Sequence, residues 1–231
     1  MIWPKFKTLI FLMLVAAGVG LYSCTEKNNM QVEVFETRAG KAPFQQIQIS
    51  DVEDSAHTLK INLSERYQRI TGFGGSFTEA SAYLLNQLSK KNQKAIIEAY
   101  FGETGARYSL TRKHMNSCDF SLSQYSYAPV PGDTALENFS IAEDSSDVIP
   151  MIKKAMEASE EGFRIISSPW TAPPWMKTNK DWVGGRLLPE HYGTWALFFK
   201  KYIEAYQEKG IPIWGITVEN EPLGNDSNWE S

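Results

Sequence analysis

Residues 149–175 read IPMIKKAMEASEEGFRIISSPWTAPPW. Ile149–Glu161 reads as a helix, with Gly162 placed to end it, since glycine enters the left-handed conformation without a Cβ clash. Phe163–Ser168 is then a short apolar strand. It opens into a long loop, residues 169–189, that carries Trp170, Trp175 and Trp182. A helix, a tight turn, a strand and a long aromatic loop make one unit of an alternating α/β chain.

The alternation extends in both directions. Upstream, Arg69–Phe73 is a strand candidate that runs into Gly72-Phe73-Gly74-Gly75. Thr78–Leu88 and Lys90–Phe101 have helical spacing, with Thr78 and Ser89 as N-caps and Gly102 just past the second helix. Arg107–Thr111 is the next strand candidate, followed by a long loop over residues 117–147 rich in Ser, Tyr and Pro. Downstream, Pro189 opens a helix where its missing N–H costs nothing. Trp195, Phe198, Phe199 and Tyr202 recur at spacings of three and four, which marks a core face. Gly210 ends that helix, and Ile213–Glu219 is the last strand. Four strands separated by helices imply a parallel sheet. A (β/α) barrel and a doubly wound sheet both bind ligands at the carboxyl ends of such strands. The glycines at 72–75 do not match a phosphate loop, which argues against a nucleotide cofactor.

The first 65 residues are different. Lys5 and Lys7 precede an apolar or small run from Thr8 to Leu21, in range for a signal peptide and short for a membrane span. Leu21-Tyr22-Ser23-Cys24 resembles a lipoprotein cleavage site, which predicts a signal over residues 1–23, lipid attached to Cys24 and an exported chain anchored to a bacterial membrane. A plain secretory signal with an incidental cysteine is the other reading. Residues 24–30 read as a tether. Val32–Glu36, Gln46–Ile49 and Leu59–Leu63 alternate like strands, so residues 31–65 form a partial β domain. Of the 231 residues, 42% are hydrophobic and 22% charged, which excludes a disordered chain. The net charge of −4 gives no electrostatic footprint for nucleic acid. Two cysteines cannot make a disulfide scaffold, and three scattered His give no metal-ligand spacing.

Chemistry concentrates at the strand ends. Thr217-Val218-Glu219-Asn220-Glu221-Pro222 follows an apolar strand directly, so a carboxylate there faces either a pocket or solvent. In a pocket it is a candidate general acid. Arg112 and Asp119 can bind hydroxyls or close a loop as an ion pair. Trp170 can stack on a sugar face or pack the rim, and the same holds for Trp175 and Trp182.

Together these pieces resemble glycoside hydrolase family 30, which includes glucosylceramidase and bacterial β-1,6-glucanases. The resemblance rests on Phe73-Gly74-Gly75, Arg112 with Asn116-Ser117-Cys118-Asp119-Phe120-Ser121, Ser168-Pro169-Trp170-Thr171-Ala172-Pro173-Pro174-Trp175, and Asn220-Glu221-Pro222. It implies a (β/α)₈ TIM barrel with a β-sandwich side domain, hydrolysing β-glucosides with retention and without a cofactor. It makes Glu221 the acid/base and gives Asn220 the sugar 2-hydroxyl. Arg112 supports the catalytic carboxylates, and Asp119 and Trp170 bind the ring in the −1 subsite. Lys113-His114 is similar to the glucanase-like branch, with His114 either a substrate contact or a loop-stabilising group.

The family's nucleophile lies near the end of a seventh strand, and no carboxylate here matches its motif. Residues 66–231 hold about four βα units, against about 250 residues for a whole barrel. The expectation is the N-terminal half of a barrel, not competent alone. A non-catalytic glucan-binding protein and another retaining hydrolase of the same clan, such as a xylanase, are the alternatives. Strict strand alternation cannot turn both Asn220 and Glu221 inward, so a sharp twist is required between them.

Overall fold

The computed structural model describes residues 33–48 and 60–224. The predicted signal over 1–23, the lipidated Cys24 and the tether over 24–30 lie outside the described residues, as does Leu59. The chain divides into two compact units after Arg66.

In the first unit, β1 (Val34–Glu36) and β2 (Gln45–Ile47) pair antiparallel, with Phe35 opposite Gln46. Phe35 also stacks on Phe44 at 4.8 Å. The third strand expected here is not formed over its described part, residues 60–63. Asn62 makes a turn instead: its Oδ1 accepts from Ser64 N at 3.1 Å and its carbonyl from Glu65 N at 3.3 Å. A short side chain that bonds the backbone two residues on favours a turn over a ladder.

The second unit holds β3 (Ser76–Phe77), α1 (Glu79–Gln87), α2 (Lys90–Phe101), β4 (Leu110–Met115), α3 (Val148–Ala158), β5 (Arg164–Pro169), α4 (Tyr192–Glu208) and β6 (Gly215–Ile216). The strands form one parallel sheet in chain order, β3-β4-β5-β6. Each strand therefore lies beside its predecessor, as in a barrel wall, with no point where the order reverses.

The helices start where their caps are. Thr78 Oγ1 accepts from Ser81 N at 3.2 Å, and Ser89 Oγ from Asn92 N at 3.3 Å. Gly102 follows α2 as expected, but its φ of −70° is not left-handed. Glycine is needed there because a Cβ would lie 2.7 Å from Glu98 O. α3 ends at Ala158, three residues before the expected Glu161, while Gly162 keeps the left-handed φ of +71° in the turn that follows.

The strands sit later than the sequence predicts. Arg69–Phe73 is not a strand, and β3 begins past the glycines. Gly74 passes so close to β4 that a Cβ would overlap Leu110 O. Arg107, at φ +51°, turns the chain before β4, which moves that strand three residues on and puts Arg112 inside it. β6 is a two-residue strand, but its line continues: Thr217 N donates to Ser167 O at 3.0 Å and Asn220 N to Pro169 O at 2.7 Å.

The core lies between the outer sheet face and the helices. Ile165 and Met115 of the sheet are buried in one cluster with Val148 and Ile152 of α3 and with Phe198, Tyr202 and Tyr206 of α4. Of the predicted α4 face, Phe198 and Tyr202 are fully buried, and Trp195 and Phe199 pack half-buried against them. A polar group is embedded here as well. Lys113 Nζ pairs with Asp144 at 3.2 Å, both side chains fully buried. Asp144 also accepts from Tyr127 Oη at 2.6 Å and Tyr206 Oη at 2.5 Å. Burial pushes the Asp144 carboxyl up, but the Lys113 ammonium and these hydroxyls outweigh it and hold it below its ordinary range. Burial moves Lys113 down against the pull of Asp144.

Candidate active site

Side chains alternate along a strand, so Lys113 and Met115 face the helices while Arg112 and His114 face the opposite side of the sheet. In the parallel register Arg112 lies beside Ser76 and Ile166, and His114 beside Ser168. Along this face lies a cavity of about 550 Å³, lined by Gly72–Ser76, Leu110–Arg112, Ile166, Thr217 and Glu219–Glu221.

Arg112 organises it. Its Nη2 donates to Asn220 Oδ1 at 2.7 Å and its Nε to Ser168 Oγ at 3.0 Å. Its guanidinium also lies 4.7 Å from the centre of the Trp170 ring, a cation–π distance. Ser168 Oγ accepts from Thr217 Oγ1 at 2.8 Å as well. Arg112, Ser168, Trp170, Thr217 and Asn220, drawn from β4 and from the ends of β5 and β6 with the loops that follow, are thus held by one guanidinium and one hydroxyl. The arginine fork suits this task because its donors point in fixed and different directions. The bond also sets the Asn220 amide: carbonyl toward Arg112, NH₂ away from it.

Asn220 and Glu221 both line the cavity, and the backbone shows how. Glu221 has φ +46°, a left-handed conformation unusual for a residue with a side chain. A left-handed residue here breaks the strict alternation of a strand, which allows two consecutive residues to line one cavity. The turn is closed by Gly224 N donating to Glu221 O at 2.7 Å. Arg112 makes its hydrogen bonds to an amide and a hydroxyl, not to a carboxylate.

Two buried polar atoms belong to site residues and have no partner among the described residues: His114 Nε2 and Asp119 Oδ1. His114 is 2% exposed, and its Nδ1 lies 2.6 Å from Asn116 O. A carbonyl only accepts, so Nδ1 carries the proton and Nε2 presents a lone pair. Burial first, then the adjacent Lys113 ammonium, push this imidazole down to about 3. His114 therefore makes the loop-stabilising bond with one nitrogen and leaves the other for an added donor. Its ring stands edge-on to Trp170 at 6.4 Å. Buried polar atoms without partners are rare, and a ligand hydroxyl is one thing that would satisfy them.

Two further groups were not singled out by their sequence context. Glu219 lines the cavity, and burial raises its carboxyl against the opposing pull of Lys177. Lys177, in the loop after β5, donates to Thr171 Oγ1 at 2.6 Å and Trp182 O at 3.2 Å, and burial lowers it to about 8. Both lie on loops, where no periodicity marks which side chain turns inward. Cys118 is a buried free thiol pushed up to about 11 by burial. Among the described residues no His/Cys/Asp/Glu group could hold a metal, and no helix is long and apolar enough to cross a membrane.

A parallel sheet in chain order with a cavity along one face is the wall of a TIM-barrel protein. The glycosyl hydrolase family 30 TIM-barrel domain matches residues 70–230, and the chain belongs to that family. It is 38% identical over 170 residues to the lysosomal acid glucosylceramidase of Mus musculus, covering 71% of this chain and 33% of that protein. It is 32% identical over 175 residues to an endo-1,6-β-D-glucanase of Neurospora crassa, covering 73% and 36%. Among solved structures, SrfJ of Salmonella typhimurium superposes with a TM-score of 0.68 at 36% identity, over 71% of this chain and 37% of that one. An endo-β1,6-glucanase gives 0.66 at 31%, over 71% and 37%. The chain spans about a third of the length of the curated relatives it matches.

Proposed function

We propose that this chain carries the acid/base side of a retaining β-glucosidase site, for a glucosylceramide-like or β-1,6-glucan substrate. The observation that carries the reading is the left-handed Glu221, which lines the cavity beside an Asn220 fixed by Arg112. Glu221 protonates the glycosidic oxygen as it leaves and then, as the carboxylate, takes a proton from the attacking water. The Asn220 NH₂, directed away from Arg112, donates to the sugar 2-hydroxyl. Asp119 and His114 offer their unpartnered acceptors to ring hydroxyls, and Trp170 supplies an apolar face at the same subsite.

Retention needs a second carboxylate about 5–5.5 Å from the first, acting as nucleophile. No residue of this chain is assigned that role, and the 231-residue polypeptide alone is expected to bind a β-glucoside without turnover. The test is saccharide binding and aryl β-glucoside hydrolysis by the purified chain. Binding weakened by Asn220→Ala, with no release of the aryl group, is the expected result. Hydrolysis that disappears in Glu221→Gln would show that the chain needs no further carboxylate.

We also propose that residues 1–23 are a lipoprotein signal and that Cys24 carries lipid, placing the protein on a bacterial membrane. The Leu21-Tyr22-Ser23-Cys24 sequence supports this. Labelled fatty acid incorporated into the native chain but not into Cys24→Ser is the expected result.

A further inference from the structure

We propose that a second saccharide-binding cleft lies between the loops that follow β4 and β5, apart from the Glu221 cavity. The cleft has a volume of about 830 Å³ and shares no lining residue with that cavity. Its volume falls within the range of about 300–1,000 Å³ typical of small-ligand sites.

Its walls are built before any ligand arrives. Trp175 Nε1 donates to Ala128 O at 2.9 Å, which ties the loop after β5 to the loop after β4 across the floor of the cleft. The buried Lys177 ammonium donates to Trp182 O at 3.2 Å and to Thr171 Oγ1 at 2.6 Å, fixing the backbone that presents Trp182. The backbone bridge between Lys177 and Leu187 closes the base of the same loop. A ligand meeting such walls does not have to order them, so more of the contact energy appears as affinity.

The lining points to the ligand class. Trp175, Trp182 and Tyr125 offer flat apolar surface, and Glu143 and Lys180 offer one charge of each sign. A pyranose has this amphipathic shape: C–H faces that pack on aromatic rings and an edge of hydroxyls. With one anion and one cation in the lining, a neutral ligand fits better than a charged one. His191 adds a separate observation. Its ring stands edge-on to Trp175 at 5.0 Å, and its buried Nδ1 has no hydrogen-bond partner among the described residues. A sugar hydroxyl both donates and accepts, so it satisfies that nitrogen in either tautomer. The choice of a saccharide, rather than another neutral amphipathic ligand, rests on the function proposed above.

The test is an NMR titration of the ¹⁵N-labelled 231-residue chain with gentiobiose and longer β-1,6-glucose oligomers, following tryptophan indole and histidine ring signals. The expected result is a shift of the Trp175, Trp182 and His191 signals. The apparent Kd should weaken about tenfold or more in Trp182→Ala, which corresponds to one tryptophan contact of about 1.4 kcal/mol. Trp182→Phe, which keeps a ring, should retain most of the affinity, and Asn220→Ala should leave these shifts in place. Shifts confined to Trp170 and Asn220, unaffected by Trp182→Ala, would overturn the second cleft and leave the Glu221 site standing. Shifts at Trp182 and His191 with none at Trp170 or Asn220 would do the reverse. No shift at Trp182 with any oligomer also overturns the proposal.

Discussion

Arg112 lies within β4 and Asn220 just beyond β6, two strands that do not pair with each other, yet the guanidinium Nη2 donates to the amide Oδ1 at 2.7 Å. The bond spans the width of β5 and takes Ser168 Oγ on the way. Arg112→Lys keeps the charge but replaces the fork with a single point donor, which cannot serve Asn220 and Ser168 in the same directions. The expected cost is about 1.5–3 kcal/mol, the size of a hydrogen bond to a charged group. Urea denaturation of the two proteins measures it, and coincident curves would mean the link contributes nothing.

Glu221 holds a left-handed backbone at φ +46°. A residue with a Cβ gives up roughly 1–2 kcal/mol there, and glycine does not. Glu221→Gly should therefore raise thermal stability or leave it unchanged, despite removing a side chain, while Glu221→Gln should leave it unchanged. Both variants remove the proposed acid. A clear loss of stability in Glu221→Gly would show that the side chain, not the twist, is what the fold requires.

His114 stays neutral in the folded protein down to about 3, whereas an imidazole in an unfolded chain titrates near 6.5. Between these values the unfolded chain binds a proton that the folded one does not. Stability therefore falls as the pH drops from about 6.5 toward 3, and this contribution is fully present above 6.5. Denaturation midpoints at pH 7 and pH 4 should differ more for the native protein than for His114→Gln. A ¹⁵N spectrum at pH 5 should show the Nδ1–H tautomer, and a charged ring at that pH would contradict the assignment.

Lys113 and Asp144 are buried together behind the sheet. Removing one partner leaves the other charge without compensation, so Lys113→Met should destabilise by about 3–5 kcal/mol. The double variant Lys113→Met with Asp144→Asn should recover part of that loss. If the double variant is as unstable as the sum of the singles, the two groups act independently and the pairing is incidental.

The sequence carries the helices more faithfully than the strands, for a local reason. α2 runs over the residues its Ser89 cap and apolar spacing predict, because both signals lie inside the helix. β3 and β4 start later than their apolar runs do. Their limits are set by two backbone events, the glycine approach of Gly74 to Leu110 and the left-handed Arg107, and these depend on the neighbouring strand or on a turn. Of the site, Arg112, Trp170, Asn220 and Glu221 were legible from their place at strand ends, and the structure gathers them around one face. Asp119 is legible only as a motif residue: its Oδ1 is buried without a hydrogen-bond partner among the described residues, and it does not line the cavity. Lys177 with Glu219 was not, because the two lie on different loops and meet only in three dimensions. Lys113 gave no sign of an outward partner, since Asp144 sits 31 residues away on a loop behind the sheet.

The Arg112–Asn220 bond joins residues 108 positions apart. The parallel sheet can assemble one neighbour at a time, each strand adding to the last with a modest chain-closure cost, but this bond exists only after β6 has docked. The Asn220 amide is therefore set only once β6 is in place. A sheet without β6 has no such amide in place, so the saccharide affinity proposed at Asn220 would report the docking of β6 rather than accumulated secondary structure.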